Sequence, residues 1–419
     1  MKTVQLRRFF NVKGGTTPST SESSYWGGSI PWVTPADLST DGIDYVSDSN
    51  SKVTIKGLKE NNLLLSEKGW VVFSNRAPIG KVAICGTPLC TNQGCKLIYP
   101  NNEKQYNTKY LAYWLISNKA KLNLLGSGTT FNEISTSTLL SFRIPLVDIH
   151  QQNKIVDLLD RRVKNIDDVI KEKTIQLEKL SEYRQSLITQ AVTKGLDPNV
   201  EMKDSGVPWV GMIPYHWKCG KIKYFASISA GGTPDRMVKD YWNNGTIPWI
   251  KTGELLNDDI VSVEECITPL ALRKSAAKLF PEGTVLVAMY GQGKTRGMAG
   301  MLTWPATTNQ ACACICPKNS LLLGKFLLRL MESSYAFNRE KAAGTGQPNL
   351  NQDIIANLLI PIPPLDEQMK IINHLDVSLK HIQHMKGTID GAINKLQEYR
   401  SSLITAVVTG KIDINEVNR

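Results

Sequence analysis

The same residues occur twice in this chain, in the same order and about half a chain apart. GGTTP at 14–18 returns as GGTP at 231–234, and IPWVTPADL at 30–38 returns as IPWIKTGEL at 247–255. TNQ at 91–93 returns at 308–310, an offset of 217, and EYRQSLITQAVT at 182–193 returns as EYRSSLITAVVT at 398–409, an offset of 216. A near-constant offset over so many matches is a tandem duplication, and it constrains the fold before any other feature does. Two copies of one unit permit a pseudo-twofold, two-headed molecule, which suits a target with two separated parts.

Each copy has two parts. The first, residues 1–150 and again 197–366, is rich in Gly, Pro, Thr, Asn and Trp, with short β-branched runs. WVVFS at 70–74 with KVAIC at 81–85, and TVLVAMY at 284–290 with MAGML at 298–302, read as hairpins bounded by turn residues. Helical stretches such as YLAYWLIS at 110–117 and FLLRLMES at 326–333 are interspersed, so each first part is expected to be a mixed α/β globule.

The second parts, residues 151–196 and 367–413, are nearly free of Gly and Pro and dense in Lys, Glu, Gln and Leu. Apolar residues recur there in alternating steps of three and four, the seam of a coiled coil. In the first stretch the seam includes Leu159, Ile166, Ile170, Leu177, Leu180 and Leu187; in the second it includes Leu375, Ile382, Ile389, Ile393, Leu396 and Leu403. Residues 156–191 would extend about 54 Å as a helix. A helix with one apolar stripe needs cover, and the obvious partner is its own copy. Parallel and antiparallel pairings are both sterically open; a target with twofold character favours antiparallel. The polar seam residues Lys173, Arg184, Lys386 and Arg400 read as solvent-exposed positions at a wet seam, with register-fixing or a partner contact as the alternative.

A chain of 419 residues suits two to four domains. Its formal net charge of +11 favours a polyanionic partner, because lysine and arginine replace the counterions of a phosphate backbone. The eight cysteines include no CxxC pair for zinc or redox work. Cys312, Cys314 and Cys316 alternate in ACACIC and would share one face of a strand, as small apolar residues in a reducing compartment. MKTVQLRRFF has no apolar signal core, and no stretch reaches the ~18 apolar residues of a membrane span. A cytoplasmic protein is expected.

Several motifs suggest chemistry. GQGKT at 291–295 ends like a phosphate-binding loop, but Ala288 stands where the pattern needs Gly, and the flanks read as a hairpin rather than strand then helix. Nucleotide binding is not expected. A cationic hairpin loop with Gln292, Lys294 and Arg296 suits an approach to DNA, and the first copy's counterpart, SNRAPIGK at 74–81, offers Asn75, Arg76 and Lys81. Solvated turn charges are the competing reading. His374, His381 and His384 lack a completing carboxylate or Cys and read as helix-surface residues. The TNQ residues could read adenine edges, yet they precede apolar strands, and a structural turn is the favoured role. No metal site, nucleophile motif or methyltransferase motif emerges, so the chain reads as non-catalytic.

These features converge on one family. GGTP with IPWI, the VAMYGQGKTRG hairpin, IPLVDIHQQNKIVDLLD and IPIPPLDEQMKIINHLD opening the long helices, and the EYRQSLITQAVTKG ending have counterparts in both copies in the same order, and MKDSGVPWVGMIPYHWKCGKIKYF at 202–225 leads into the second globule. Over essentially its whole length the chain resembles the specificity subunits of type I restriction–modification enzymes. The resemblance implies two target recognition domains joined by two long helices packed as an antiparallel coiled coil. It implies that each domain reads one half of a split, asymmetric sequence in double-stranded DNA, and that the helices are spacer and dock for two methyltransferase subunits, with two motor-nuclease subunits joining for restriction. No cofactor is implied on this chain; S-adenosylmethionine, ATP and Mg belong to the partners. Arg76, Lys81, Lys294 and Arg296 then become DNA contacts by loop position, with the IPLVDIHQQ and IPIPPLDEQ segments as docking elements. The alternatives are a recognition subunit whose partner combines nuclease and methyltransferase, a stand-alone nucleic-acid enzyme, and a scaffolding adaptor with no DNA role.

Overall fold

Apolar runs between turn-rich segments build one five-stranded sheet in each half of the chain. The computed structural model describes residues 2–39, 42–102, 104–126, 132–291, 293–318, 320–342 and 350–412. They fall into two units: Met1–Thr174 with Asp390–Arg419, and Ile175–Ile389. In the first unit the strands are β1 (Phe10–Gly14), β2 (Ile43–Val46), β3 (Val71–Ser74), β4 (Val82–Cys85) and β5 (Cys95–Pro100), in the order β1-β5-β3-β4-β2. The β2–β4 pairing is parallel and the others are antiparallel. In the second unit β6 (Ala226–Ala230), β7 (Asp258–Ile260), β8 (Val285–Ala288), β9 (Ala299–Leu302) and β10 (Cys312–Pro317) repeat that order, with β7–β9 parallel. Both expected hairpins, β3–β4 and β8–β9, are present.

The three central strands of each sheet are buried on both faces, which is why they read as nearly unbroken apolar runs. In the second unit Val285, Val287, Ala313 and Ile315 face one core, and Leu286, Ala288, Cys312 and Cys314 face another. Cys316 packs with the latter group, so the ACACIC cysteines do share a face. All eight cysteines are free thiols.

The duplicated GG and IPW motifs have a common physical cause. Trp32 Nε1 donates to Thr16 O, and Trp249 Nε1 donates to Gly232 O, both at 3.0 Å. Trp26 meets Trp32 edge-on at 5.0 Å between ring centroids, and Trp242 meets Trp249 in the same way at 5.0 Å. A Cβ at Gly15 would lie 2.1 Å from Thr91 O, and one at Gly231 would lie 2.3 Å from Thr308 O, so no larger residue fits either position. The copies differ at one point: Arg236 stacks on Trp242 at 3.7 Å, where the first copy has Thr20.

Helix α1 (Thr108–Ser117) packs beside the first sheet, capped by the Asn107 side chain, which accepts from the Lys109 and Tyr110 amides. The long helix α2 (Ile149–Lys194) starts where the Asp148 carboxylate accepts from the His150 amide, and its last turn meets Gly195 at φ +76°. The corresponding helices of the second copy are α3 (Gly324–Ser333) and α4 (Leu365–Val408). Asp366 and Glu367 lie in the first turn of α4, where carboxylates complement the helix dipole.

Within each unit, a stretch of α2 lies antiparallel against a stretch of α4. In the first unit Val156, Leu159, Val163 and Ile166 share a core with Leu403, Ile404, Val407 and Val408. Tyr110 Oη donates to Val408 O while its neighbour Tyr113 donates to Asp160, and Asp167 pairs with Arg400, so α2 rises as α4 descends. In the second unit Ile188, Ala191 and Val192 share a core with Ile371 and Leu375. Of the seam residues, Leu159, Ile166, Leu375, Ile382 and Leu403 are buried; Ile170, Leu177, Leu180, Leu187, Ile389, Ile393 and Leu396 are half-buried.

Two of the four polar seam residues depart from the expectation of simple solvent exposure. Arg400 has a side chain 13% exposed and pairs with Asp167, Nε to Oδ1 at 2.9 Å. Arg184 pairs with Glu332 of α3, whose side chain is 2% exposed. An arginine stem covers apolar seam while its head finds a carboxylate, an arrangement that periodicity cannot reveal. Lys386 is exposed and Lys173 half-exposed, as read.

Candidate nucleic-acid interface

The two hairpin loops are the elements that the sequence marks as nucleic-acid-facing. Strand pairing shows that they differ in length. Val71 and Val285 hold equivalent places, pairing with Ile84 and Ile98 in one unit and with Met301 and Ile315 in the other. The loop between β3 and β4 is therefore residues 75–81, and that between β8 and β9 is residues 289–298, three residues longer. The gain is balanced upstream: residues 34–43 precede the Asp44↔Ala83 pair, whereas only 251–257 precede Asp258↔Gly300. The constant offset of the sequence repeats conceals both changes.

The first loop is tied internally. Ser74 Oγ donates to Pro78 O at 2.8 Å and accepts from the Lys81 amide at 2.9 Å. Asn75 is fully buried; its Nδ2 donates to Glu133 Oε1 at 2.8 Å and to Gln93 O at 3.2 Å. Lys81 Nζ donates to Pro35 O at 2.9 Å and Leu38 O at 2.8 Å. These two residues therefore build the loop rather than protrude from it. Arg76 is the outward member, its side chain 40% exposed, with Nε on Glu133 Oε2 at 2.8 Å. Behind it Lys96, its side chain 7% exposed, approaches the other Glu133 oxygen at 3.9 Å. Burial chiefly pulls the Lys96 ammonium below its ordinary value; Glu133 opposes this and Arg76 adds to it. Glu133 thus organises two cations and an amide, leaving a positively edged loop.

Neither Lys96 nor Glu133 was legible as a site residue. Lys96 sits within an apolar strand, and Glu133 is 57 positions from Arg76 with no motif around it.

In the second loop Gly291, Gly293 and Gly297 take positive φ of 146°, 59° and 87°. Lys294 is exposed and Arg296 half-buried, while Gln292 lies outside the described residues. Tyr335 Oη donates to Lys294 O at 2.7 Å. The flanking segments are antiparallel strands, so GQGKT does not sit between a strand and a helix as a phosphate-binding loop must.

The TNQ residues support the turn. Asn92 Oδ1 accepts from the Gly94 amide at 2.9 Å, and Gln93 Oε1 accepts from Thr17; Gln310 and Thr233 repeat that second bond. The segments opening the long helices are turned inward at one residue each. Gln152 accepts from the Asn107 amide and donates to Val147 O; Gln368 accepts from the Leu323 amide and donates to Pro363 O, and both glutamines are fully buried. His374, His381 and His384 are exposed on α4. Among the described residues, no group of three or more His, Cys, Asp or Glu is gathered as a metal site, and no helix is long and apolar enough to cross a membrane.

Comparison with known proteins gives a consistent answer. The family described as type I restriction modification DNA specificity domain matches residues 1–179 and again 214–394. The MjaIX type I restriction enzyme specificity subunit of Methanocaldococcus jannaschii is 28% identical over 99% of this chain and 94% of its own length. Among solved structures, a chain from a type I R-M system studied for complex assembly and conformational transition superposes with a TM-score of 0.73 at 16% identity, covering 97% of each chain. The HsdS subunit from Thermoanaerobacter tengcongensis superposes at 0.52 with 15% identity, covering 98% of this chain and 97% of that one.

Proposed function

This chain belongs to the type I restriction–modification DNA specificity family, and on that premise we propose that it is the sequence-reading subunit of such a system, each unit addressing one half of a bipartite duplex site. One observation carries the reading. Two copies of one sheet frame present cationic hairpin loops of unequal length and unlike sequence, residues 75–81 and 289–298. A shared frame with different loops reads different bases, so the site is non-palindromic. Arg76, Lys294 and Arg296 are the cations proposed to meet the duplex; Asn75 and Lys81 hold the first loop in shape. Arginine and lysine contribute phosphate contacts and bidentate recognition of guanine, and a wrong base pair at a contacted position costs about 1–3 kcal/mol.

Catalysis is proposed to lie on other chains. Methyltransferase subunits would bring S-adenosylmethionine and methylate adenine, and motor-nuclease subunits would bring ATP and Mg. The exposed faces of α2 and α4 are the proposed dock, and the length of these helices the proposed spacer between half-sites. Mapping methylated adenines genome-wide with and without this gene tests the reading: a bipartite, asymmetric motif should vanish with the gene. Removing one heptad from each long helix should shift the gap of that motif. An unchanged gap would exclude the spacer role, and an unchanged map on gene loss would exclude the function.

A further inference from the structure

Each hairpin loop is met by a short helix that follows α1 or α3. In the first unit it is Lys119–Leu124, in the second Tyr335–Ala342. Two side chains four apart, on one face of each helix, touch the loop, and they occupy equivalent positions: Lys119 and Asn123 in one copy, Tyr335 and Arg339 in the other, each 216 residues on.

The first member covers the glycine that leads the loop back into its strand. Gly80 has φ +90°, and a Cβ there would lie 2.9 Å from Lys119 Cγ; Gly297 has φ +87°, and a Cβ there would lie 3.3 Å from the Tyr335 ring. The second member bonds loop carbonyls. Asn123 Nδ2 donates to Ile79 O at 3.2 Å, one residue before Gly80. Arg339 Nη1 reaches farther, to Gly293 O at 2.9 Å and Arg296 O at 3.3 Å, and donates to Tyr335 Oη at 2.9 Å. That hydroxyl in turn donates to Lys294 O.

The reach of the pair matches the length of the loop. A short amide suffices for the loop of residues 75–81, which also closes on Ser74. The loop of 289–298 carries three positive-φ glycines, and an unsupported glycine-rich segment samples many conformations. An arginine and a tyrosine fix the carbonyls at 293, 294 and 296, flanking the side chains of Lys294 and Arg296.

We propose that Tyr335 and Arg339 are positioning residues that set the conformation in which the longer loop reads its half-site, and that Lys119 and Asn123 do the same for the shorter loop. Loop and clamp then form one exchangeable specificity module. The proposal rests on the reading that these loops meet DNA, and its test separates the two. The full chain, assembled with its methyltransferase subunits, is used to select from a random-sequence duplex library. Arg339→Ala should lower discrimination at one half-site at least tenfold and leave the other half-site unchanged. Arg339→Lys should restore part of it, and Tyr335→Phe should give a smaller loss at the same half-site. Asn123→Ala should act on the opposite half-site. A purely structural role would instead weaken selection at both halves together, and that result, or no change in either half, overturns the proposal.

A second measurement does not involve DNA. Hydrogen exchange of the amides at 293–297 in the full chain should quicken at least tenfold in Arg339→Ala, with the amides of β8 and β9 unchanged. Unchanged exchange refutes the clamp itself. Quickened exchange in a complex whose unaltered form selects no sequence refutes the reading of the loops as DNA-facing, and the proposed role in recognition with it. Grafting 289–298 in place of 75–81 should transfer the second half-site preference only when Lys119→Tyr and Asn123→Arg accompany the graft. Transfer without them would overturn the module.

Discussion

The two units solve one electrostatic problem in different ways. Arg400 and Arg184 hold the same place on the seams of α4 and α2, 216 residues apart. In the first unit Arg400 reaches across to Asp167 on the other long helix. In the second, the position equivalent to Asp167 is Gln383, and Arg184 turns to Glu332 on α3, where the first unit has Ile116. Arg329, standing where the first unit has Tyr113, bonds the same glutamate at 2.9 Å. The carboxylate has moved from the coiled coil to the globule. One arginine joins helix to helix; its counterpart joins helix to sheet domain. A neighbouring bond did not move: Lys109 meets Asp160 at 2.6 Å, and Lys325 meets Asp376 at 2.8 Å.

The largest effect is expected of Glu332→Ala. The Glu332 side chain is 2% exposed and that of Arg329 5%, so the substitution takes the nearer carboxylate from a buried guanidinium and leaves it Asp258 at 3.3 Å and the Asn257 carbonyl at 3.0 Å. With those partners remaining, a cost of about 3 kcal/mol to the second unit is expected, the lower end for a broken buried pair. Hydrogen exchange mapped by peptide should show that unit opening while the first keeps its protection. Equal loss in both units would show that the pair does not belong to one unit.

The buried glutamines probe what the units share. Gln152→Ala leaves a helix-start amide and one carbonyl without their partner, Gln368→Ala an amide and two carbonyls, and each should cost about 1–3 kcal/mol. Denaturant titration of each variant checks this. A difference between the two beyond about 1 kcal/mol would show that the matching geometry hides unequal packing.

Alkaline pH should then separate the units. Burial pushes the Cys85 thiol up to about 11 and that of Cys90 to about 12 in the first unit, with Cys95 also raised; in the second it pushes Cys312 up to about 12 and raises Cys314. Tyr106, Tyr110 and Tyr113 of the first unit are raised too, again by burial. A group whose folded pKa lies above its unfolded value contributes stability below the unfolded value and loses it as pH rises. Each raised thiol therefore withdraws up to about 1.4 kcal/mol per pH unit above about pH 9. Urea titrations at pH 8 and pH 10, followed by limited proteolysis, should find the first unit weakened more. Equal weakening would contradict the burial contrast.

The smallest effect is expected at Asp167. Burial holds its carboxyl above the ordinary aspartate value even with Arg400 beside it, so its stabilising contribution is present below the unfolded value and gone at neutral pH. With its side chain 45% exposed, Asp167→Asn should change stability by no more than about 1 kcal/mol in the same denaturant titrations. A loss approaching that of Glu332→Ala would erase the contrast between the two arginines.

Local patterns carried much of this architecture. The duplication, both hairpins and both long helices follow from spacing of three and four, or from apolar runs closed by turn residues. What escaped depends on long-range neighbours. The parallel β2–β4 and β7–β9 contacts join strands with no local signal between them. The partners of Arg184 and Arg400 lie 148 and 233 residues away. Arg76 was visible in its loop, yet Glu133, which holds it, was not. Asn75 and Lys81 bear groups that could face a nucleic acid, and only the packing shows that those groups are spent on Glu133, Pro35 and Leu38.

The compensated three-residue change has a practical reach for anyone recombining the two halves. A crossover placed by sequence register inside 44–74 lands on a frame slipped by three and would lengthen or truncate a strand connection. Cut after Val33 and before Val82, the piece 34–81 is as long as 251–298, because the shorter lead-in and the longer hairpin cancel. Those two junctions mark the borders of a natural cassette, which could be traded between halves without altering the overall count of the chain.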